Sequence, residues 1–279
     1  MITDSHVHLL PERLAAKIRR FFEVRRAPPL LYPYAPDAAR QALVSAGIGR
    51  CWTLPYAHRG GVASGLNRWM AETFGADPFV VPGATVHPDD DVRGVVSEAM
   101  NLELPVFKLH CSVGAFAPDD PRLDPLWEAV SEGGQPVVVH GGSAPEGTAS
   151  PGEVAAIGKT AERWPDARII VAHFGSPSER DTLDLLARSR SVFADTTPVV
   201  ADPIRVSGKE IRGFEDRILF GSDTPTVAVT IEDSLALVRG WGLSPADEAL
   251  ILGGNAERLV PGARVVARRA AGPAGPAGL

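Results

Sequence analysis

The sequence predicts an α/β fold, a single (β/α)8 TIM barrel, on three observations. Short β-branched runs alternate with amphipathic stretches eight times along the 279 residues. Runs such as Val137-Val138-Val139 and Ile169-Ile170-Val171 are apolar on both faces, as parallel strands covered by helices are. About 250 residues is also the usual size of one such barrel. A doubly wound open sheet shares the alternation, but no Gly-x-Gly-x-x-Gly follows any strand.

In chain order, strands are expected at 2–9, 50–55, 79–87, 105–110, 136–140, 168–174, 191–196 and 217–223. Helices are expected at 37–46, 62–74, 91–102, 123–132, 153–164, 178–188 and 230–241. Asp37 opens the first of these, and Ser150-Pro151 marks the start of the fifth. Residues 200–214 read as a short broken helix, because Pro203 and Gly208 interrupt them. A last helix, 245–252, follows Ser244 as cap and stops at Gly253-Gly254. Residues 1–262 thus form the barrel, and 263–279, with Gly-Pro-Ala twice, read as a flexible tail.

With 44% hydrophobic and 22% charged residues, the chain can build a sizeable core and is not a disordered one. The net charge is -6, and the basic pairs Arg19-Arg20, Arg25-Arg26 and Arg268-Arg269 read as solvated helix faces. A nucleic-acid partner is therefore not expected, since phosphate binding needs a concentrated positive face. No apolar run approaches the ~18 residues of a membrane span, and the first residues lack a signal-peptide pattern. Cys51 and Cys111 make no disulfide framework, which points to a cytoplasmic location. Cys111, beside His110, reads either as a small buried filler or as a ligand or nucleophile.

The seven histidines carry the functional argument. His6 and His8 are two apart in the first strand, so both imidazoles share a face. That pair alone fits either two metal ligands or one buried and one exposed histidine. His140, His173 and Asp223, however, also lie at C-terminal strand ends, the face where barrel active sites assemble. Imidazoles and a carboxylate suit zinc, and iron(II), manganese or cobalt fit the same donors.

Asp4-Ser-His-Val-His, the strand ends at His140 and His173, Phe220-Gly-Ser-Asp223-Thr-Pro and the closing Ile251-Leu-Gly-Gly-Asn255-Ala-Glu-Arg-Leu resemble the amidohydrolase superfamily. More narrowly they resemble its amidohydrolase-related group, which includes aminocarboxymuconate semialdehyde decarboxylases and several lactone and amide hydrolases. The resemblance spans essentially residues 2–260. It implies one divalent metal held by His6, His8, His140 and Asp223, with His173 orienting water and shuttling protons. Asp223 then also serves as general acid–base. Dimers are common in resembling enzymes, so a homodimer is one expected state.

Lys108 occupies the place where binuclear members of the superfamily carry a carboxylated lysine bridging two metals. The related group commonly has a lysine there without bridging metals, so one metal is preferred, with Lys108 or His110 contacting substrate. A lysine paired with a nearby carboxylate is the alternative. His58 and Arg59, in the glycine-rich loop after the second strand, could meet a substrate carboxylate or lie exposed. His87 reads as a loop residue or one that supports a ligand, and Phe116 and Trp52 could both shape an apolar pocket wall, with core packing the preferred reading for Trp52. Asp195, ending the seventh strand, reads equally as a partner that orients a ligand histidine or as a strand-end cap.

No Gly-x-Ser-x-Gly, Walker-type loop, His-Glu-x-x-His or Cys-x-x-Cys occurs, which disfavours serine hydrolases, nucleotide-dependent enzymes and zincin proteases. The expected activity is metal-dependent hydrolysis of a small amide, lactone or ester-like molecule. A non-oxidative decarboxylase of an aromatic or unsaturated acid is the alternative, for which Arg59 is the candidate clamp. A barrel without catalysis ranks last, because all five site residues are present. Since the barrel consumes about 260 residues, little chain is expected to remain for a lid.

Overall fold

The computed structural model describes residues 1–24, 30–33, 35–142, 154–199 and 203–261. The strands are β1 (Ile2–Val7), β2 (Ile48–Thr53), β3 (Val80–Thr85), β4 (Val106–Leu109), β5 (Val137–Val139), β6 (Ile169–Val171), β7 (Val192–Asp195) and β8 (Ile218–Leu219). They pair in sequence order, every neighbour parallel. Beyond β8 the chain returns to β1. The Ser5 amide donates to the Phe220 carbonyl at 2.9 Å, the Asp223 amide to His6 and the His8 amide to Thr224, both at 2.8 Å. These bonds close the sheet into a (β/α)8 barrel.

The helices are α1 (Glu12–Val24), α2 (Pro36–Ser45), α3 (Ala63–Phe74), α4 (Val92–Asn101), α5 (Cys111–Gly114), α6 (Asp124–Gly133), α7 (Val154–Arg163), α8 (Glu179–Arg188), α9 (Ile231–Arg239), α10 (Pro245–Ala249) and α11 (Asn255–Leu259). Side-chain caps start several of them, satisfying amides that a first turn leaves without partners. Asp91 accepts from the Gly94 amide, Thr230 from Asp233 and Ser244 from Asp247. None of the helices among the described residues is long and apolar enough to cross a membrane.

The doubly apolar strands divide their side chains between two cores. Val137, Val139, Ile169 and Val171 pack outward, in the shell between sheet and helices. Val138 and Ile170 point inward and meet Trp52, Leu54, Val81, Val106, Phe193 and Leu219 in the barrel interior. Ala256 and Leu259 of α11 join that inner cluster. The Asn255 amide donates at 2.7 Å to the Glu215 and Ile218 carbonyls, and Arg50 pairs with Glu257 at 2.8 Å. The terminal helix therefore stoppers the end of the barrel opposite the strand C-termini.

Three expectations need correction. The helix opening at Ser244 does not stop at Gly253-Gly254. It continues through a wide π-type turn, Leu250–Gly254, into α11. The glycine is there for close approach, since a Cβ at Gly253 would lie 2.4 Å from the Met1 carbonyl oxygen. Gly253→Ala should lower the unfolding free energy by about 1–3 kcal/mol, the usual cost of overpacking. Denaturant melts check this, and an unchanged midpoint would show that the contact relaxes freely.

The described part of the 200–214 stretch, residues 203–214, forms turns and not a helix. The third correction is α1, absent from the expected helix list. Two helices lie between β1 and β2, whereas a simple strand–helix alternation anticipates one. The Ser150-Pro151 start, residues 200–202 and the 263–279 tail lie outside the described residues.

Candidate metal centre

His6 sits in β1 and His8 one residue beyond it, so the alternation of a strand turns both rings inward. His140 follows β5, His173 lies two residues past β6, and Asp223 follows the short β8. All five line a single cavity of about 370 Å³ at the C-terminal end of the barrel, together with Lys108 and His110. His173 and Asp223 adopt left-handed backbone conformations, φ 57° each, which Asp and His tolerate better than most residues. Gly221 makes room for His6 and Thr197: a Cβ there would stand 2.9 Å from His6 Cβ and 2.8 Å from Thr197 Cγ2.

The donor atoms of His6, His8 and Asp223 lie within 4.8 Å of one another. His8 Nδ1 is 2.7 Å from the Leu54 carbonyl, which can only accept, so Nδ1 carries the proton and Nε2 is the nitrogen turned to the cavity. That Nε2 approaches Asp223 Oδ1 to 2.8 Å, yet Oδ1 has no hydrogen-bond donor aligned on it among the described residues. Either a shared cation or a hydrogen bond from His8 accounts for such a spacing. Both nitrogens of buried His140 likewise lack partners among the described residues. Buried polar atoms are normally satisfied, so these orphans fit a metal ligand set. His140 nevertheless stands outside the three-residue cluster, its ring stacked on His110 with centroids 4.0 Å apart.

Asp195 organises the other side of the cluster. Its Oδ2 accepts from His6 Nδ1 at 2.8 Å, and its Oδ1 accepts the His173 amide at 2.8 Å and the Thr197 amide at 3.1 Å. The Thr197 hydroxyl donates to the same oxygen. Burial raises the Asp195 pKa, but His6 and these hydrogen bonds outweigh it and hold the carboxyl at about 2. Burial, with Lys108 close by, pulls the His6 imidazole down to about 3. With Asp195 accepting at Nδ1, the Nε2 lone pair of His6 faces the cavity. His173 Nδ1 is 3.1 Å from the Pro198 carbonyl, which places its Nε2 at the cavity too.

Lys108 is fully buried, and burial lowers its ammonium to about 8. Its Nζ lies 3.1 Å from His6 Nε2, and among the described residues it forms no ion pair with a carboxylate. Burial likewise depresses His110 and His173. Asp223 is held below the usual carboxylate range: burial works against ionisation, and the surrounding His8, His6 and His173 overcome it. The cavity floor thus presents one ionised carboxylate among imidazoles, of which His6, His110, His140 and His173 are held below their ordinary pKa. Such a set could hold a divalent cation and pass protons beside it.

The remaining sequence candidates separate. His58 lines the cavity mouth, whereas Arg59 is exposed, contacts the Gly60 carbonyl and does not line the cavity. His87 bonds the Gly114 carbonyl at 3.1 Å and packs edge-on against Phe116; neither lines the cavity. Trp52 belongs to the inner core, and both cysteines are buried and free. Tyr56 joins the cavity without being a sequence candidate. Its ring stands edge-on to His8 at 5.4 Å and to His110 at 4.9 Å. The available signal was its position two residues past Leu54, near the C-terminal end of β2.

Asp4 is a buried carboxyl beneath this cluster. Its Oδ1 accepts the His6 amide at 3.2 Å and the Ser222 amide at 3.1 Å, while Oδ2 has no partner among the described residues. Burial raises its pKa from 3.8 to about 7. An acid with a higher pKa folded than unfolded binds more protons in the native state between those values. Its contribution is therefore most favourable at or below pH 3.8 and is lost as the pH rises to about 7. Asp4→Asn removes that penalty, so the variant should gain stability relative to wild type between pH 4 and 7. Urea midpoints across that range provide the check; a pH-independent difference would contradict the assignment.

The family model described as amidohydrolase matches residues 3–262. No match was found among curated proteins. Among solved structures, the chain is similar to an uncharacterized TIM-barrel protein from Bordetella bronchiseptica, at 19% identity and TM-score 0.70, covering 92% of this chain and 97% of that one. A protein from Pseudomonas putida assigned as a 2-pyrone-4,6-dicarboxylic acid hydrolase shares 18% identity, with TM-score 0.61 and coverage of 92% and 96%. A dihydroxybenzoic acid decarboxylase from Polaromonas, with bound manganese and the inhibitor 2-nitroresorcinol, shares 16%, with TM-score 0.66 and coverage of 92% and 96%. At these identities the likeness is one of fold, and hydrolases and decarboxylases both have it.

Proposed function

We propose that this chain, which belongs to the amidohydrolase family, is a metal-dependent hydrolase of a small amide, lactone or ester-like substrate. One observation carries the choice. The cavity pairs the Asp223 carboxylate with the His173 imidazole, while no arginine lines it among the described residues. Arg59, the clamp that the decarboxylase alternative named, lies outside, and the two cations that do line the cavity among the described residues are Lys17 at its mouth and Lys108 beside His6. Hydrolysis needs an adjacent base and acid facing a carbonyl.

His6, His8, Asp223 and His140 would hold the metal, and the three imidazoles and one carboxylate suit zinc, with manganese, iron or cobalt accepting the same donors. When bound, a divalent ion supplies Lewis-acid charge that makes water more acidic and a carbonyl more electrophilic. Asp223, ionised in the folded protein, takes the proton from the attacking water. Lys108 Nζ, inside the cavity, faces the oxyanion that develops as the carbonyl carbon becomes tetrahedral. Asp223 and His173 return a proton to the leaving nitrogen or oxygen as the carbon–heteroatom bond breaks. Asp195 keeps His6 and the His173 backbone in place throughout.

Product analysis on the metal-loaded protein tests this reading. Lactones, amides, esters and aromatic acids are incubated in water enriched in oxygen-18. Ring opening or bond cleavage with label in the new carboxylate is expected. Carbon dioxide release from an aromatic acid without label incorporation would establish the decarboxylase in its place, the activity of the Polaromonas fold relative.

A further inference from the structure

The cavity has two unlike halves. Imidazoles, Lys108 and Asp223 form its floor, while α1 forms a wall of its mouth. Leu14, Lys17, Ile18 and Phe21 recur at i, i+3, i+4 and i+7, and so lie on one face of that helix, with Phe22 beside them. All five line the cavity. Leu14 and Ile18 also pack against the core, which anchors the helix. The Phe21 and Phe22 rings meet edge to face at 5.7 Å on the cavity side. A helix directly after β1, with two aromatic rings turned toward the site, is more than a connector. Isolated apolar side chains on a surface need no account, but a contiguous apolar wall over a polar floor marks a place for a ligand body.

Charge gives the wall a direction. Among the described residues Asp223, on the floor, is the only carboxylate that lines the cavity, and Lys17 is a cation at the α1 end. Lys17 forms no ion pair with a described residue.

We propose that α1 selects the substrate. Phe21 and Phe22, with Leu14 and Ile18, seat an apolar ring or acyl group, and Lys17 receives an anionic group at its far end. The preferred substrate is then an amphipathic acid: a carbonyl centre at the floor, an apolar body along α1, and a carboxylate at the mouth. This rests on the reading of the cavity as the place where a substrate carbonyl binds. It deepens that reading by naming the substrate class.

The test uses ketones, which occupy a carbonyl site and cannot be hydrolysed, titrated calorimetrically into the metal-loaded full chain. The probes are 4-acetylphenylacetate, its neutral analogue 4-methylacetophenone, and the ringless 5-oxohexanoate. Wild type should bind 4-acetylphenylacetate about tenfold more tightly than the ringless acid and about fivefold more tightly than the neutral ketone. Phe21→Ala/Phe22→Ala should erase the first difference and keep the second, while Lys17→Gln does the reverse. Alanine and glutamine are good helix formers, so α1 stays intact, and far-UV circular dichroism checks this. Wild-type affinities that ignore ring and charge, or variants that keep both differences, overturn the proposal. Because these probes do not turn over, failure of the hydrolysis assay leaves this result standing. Failure of all three ketones to bind, beside successful hydrolysis, sinks the α1 proposal alone.

Discussion

Replacing Asp223 by Asn is expected to lower kcat by at least about a thousandfold while the fold persists. The change is nearly isosteric, and Asn tolerates the left-handed backbone at φ 57° as well as Asp does. What disappears is the charge. Oδ1 stands 2.8 Å from His8 Nε2 and 3.9 Å from His6 Nε2, so in the proposed reaction the carboxylate both helps to hold the cation and accepts the proton. Loss of a positioned acid–base group alone costs roughly 10²–10⁴-fold, and loss of a ligand adds to it. Turnover of an identified substrate, bound metal by elemental analysis and circular dichroism together decide the matter. A variant with more than a tenth of wild-type turnover would move the chemistry away from this strand end.

Asp195→Asn should weaken metal affinity by about 10- to 100-fold, as loss of the partner that orients a ligand histidine usually does. The carboxylate fixes His6 through Nδ1 at 2.8 Å and holds the His173 amide at the same distance. An amide in its place either points an NH2 group at a ring that needs an acceptor or keeps one acceptor for two tasks. Competition against a chromophoric chelator measures the affinity. A purely structural role would instead lower the melting temperature and leave affinity within about threefold. That outcome would reduce Asp195 to the strand-end cap that the sequence equally allowed.

How much of this was legible in the chain depends on what each residue's surroundings are made of. His6, His8, His140, His173 and Asp223 could be grouped from the sequence because each lies in or within a few residues past a recognisable strand, and strand ends in a barrel converge whatever the loops do. Arg59 and His58 were indistinguishable there: both follow β2 in a glycine-rich loop. Both are exposed, and the turn sets only His58 along the cavity mouth. The helical spacing of Leu14, Ile18 and Phe21 was present too. One helix per strand already satisfies the alternation, so that spacing by itself does not call for a second helix before β2.

Periodicity and strand-end chemistry thus predicted the barrel, its parallel sheet and the convergence of five candidate residues on one cavity, because these follow from local pattern and the geometry of closure. Folding alone decided which atoms meet: Asp195 on His6, Lys108 on His6, the α1 aromatics over the mouth, and Gly253 against Met1. The reason is distance along the chain. His6 and Asp195 are 189 residues apart and His6 and Lys108 are 102 apart. No local preference encodes such pairings; only the closed sheet, which fixes each strand's register on its neighbour, brings them within hydrogen-bond reach.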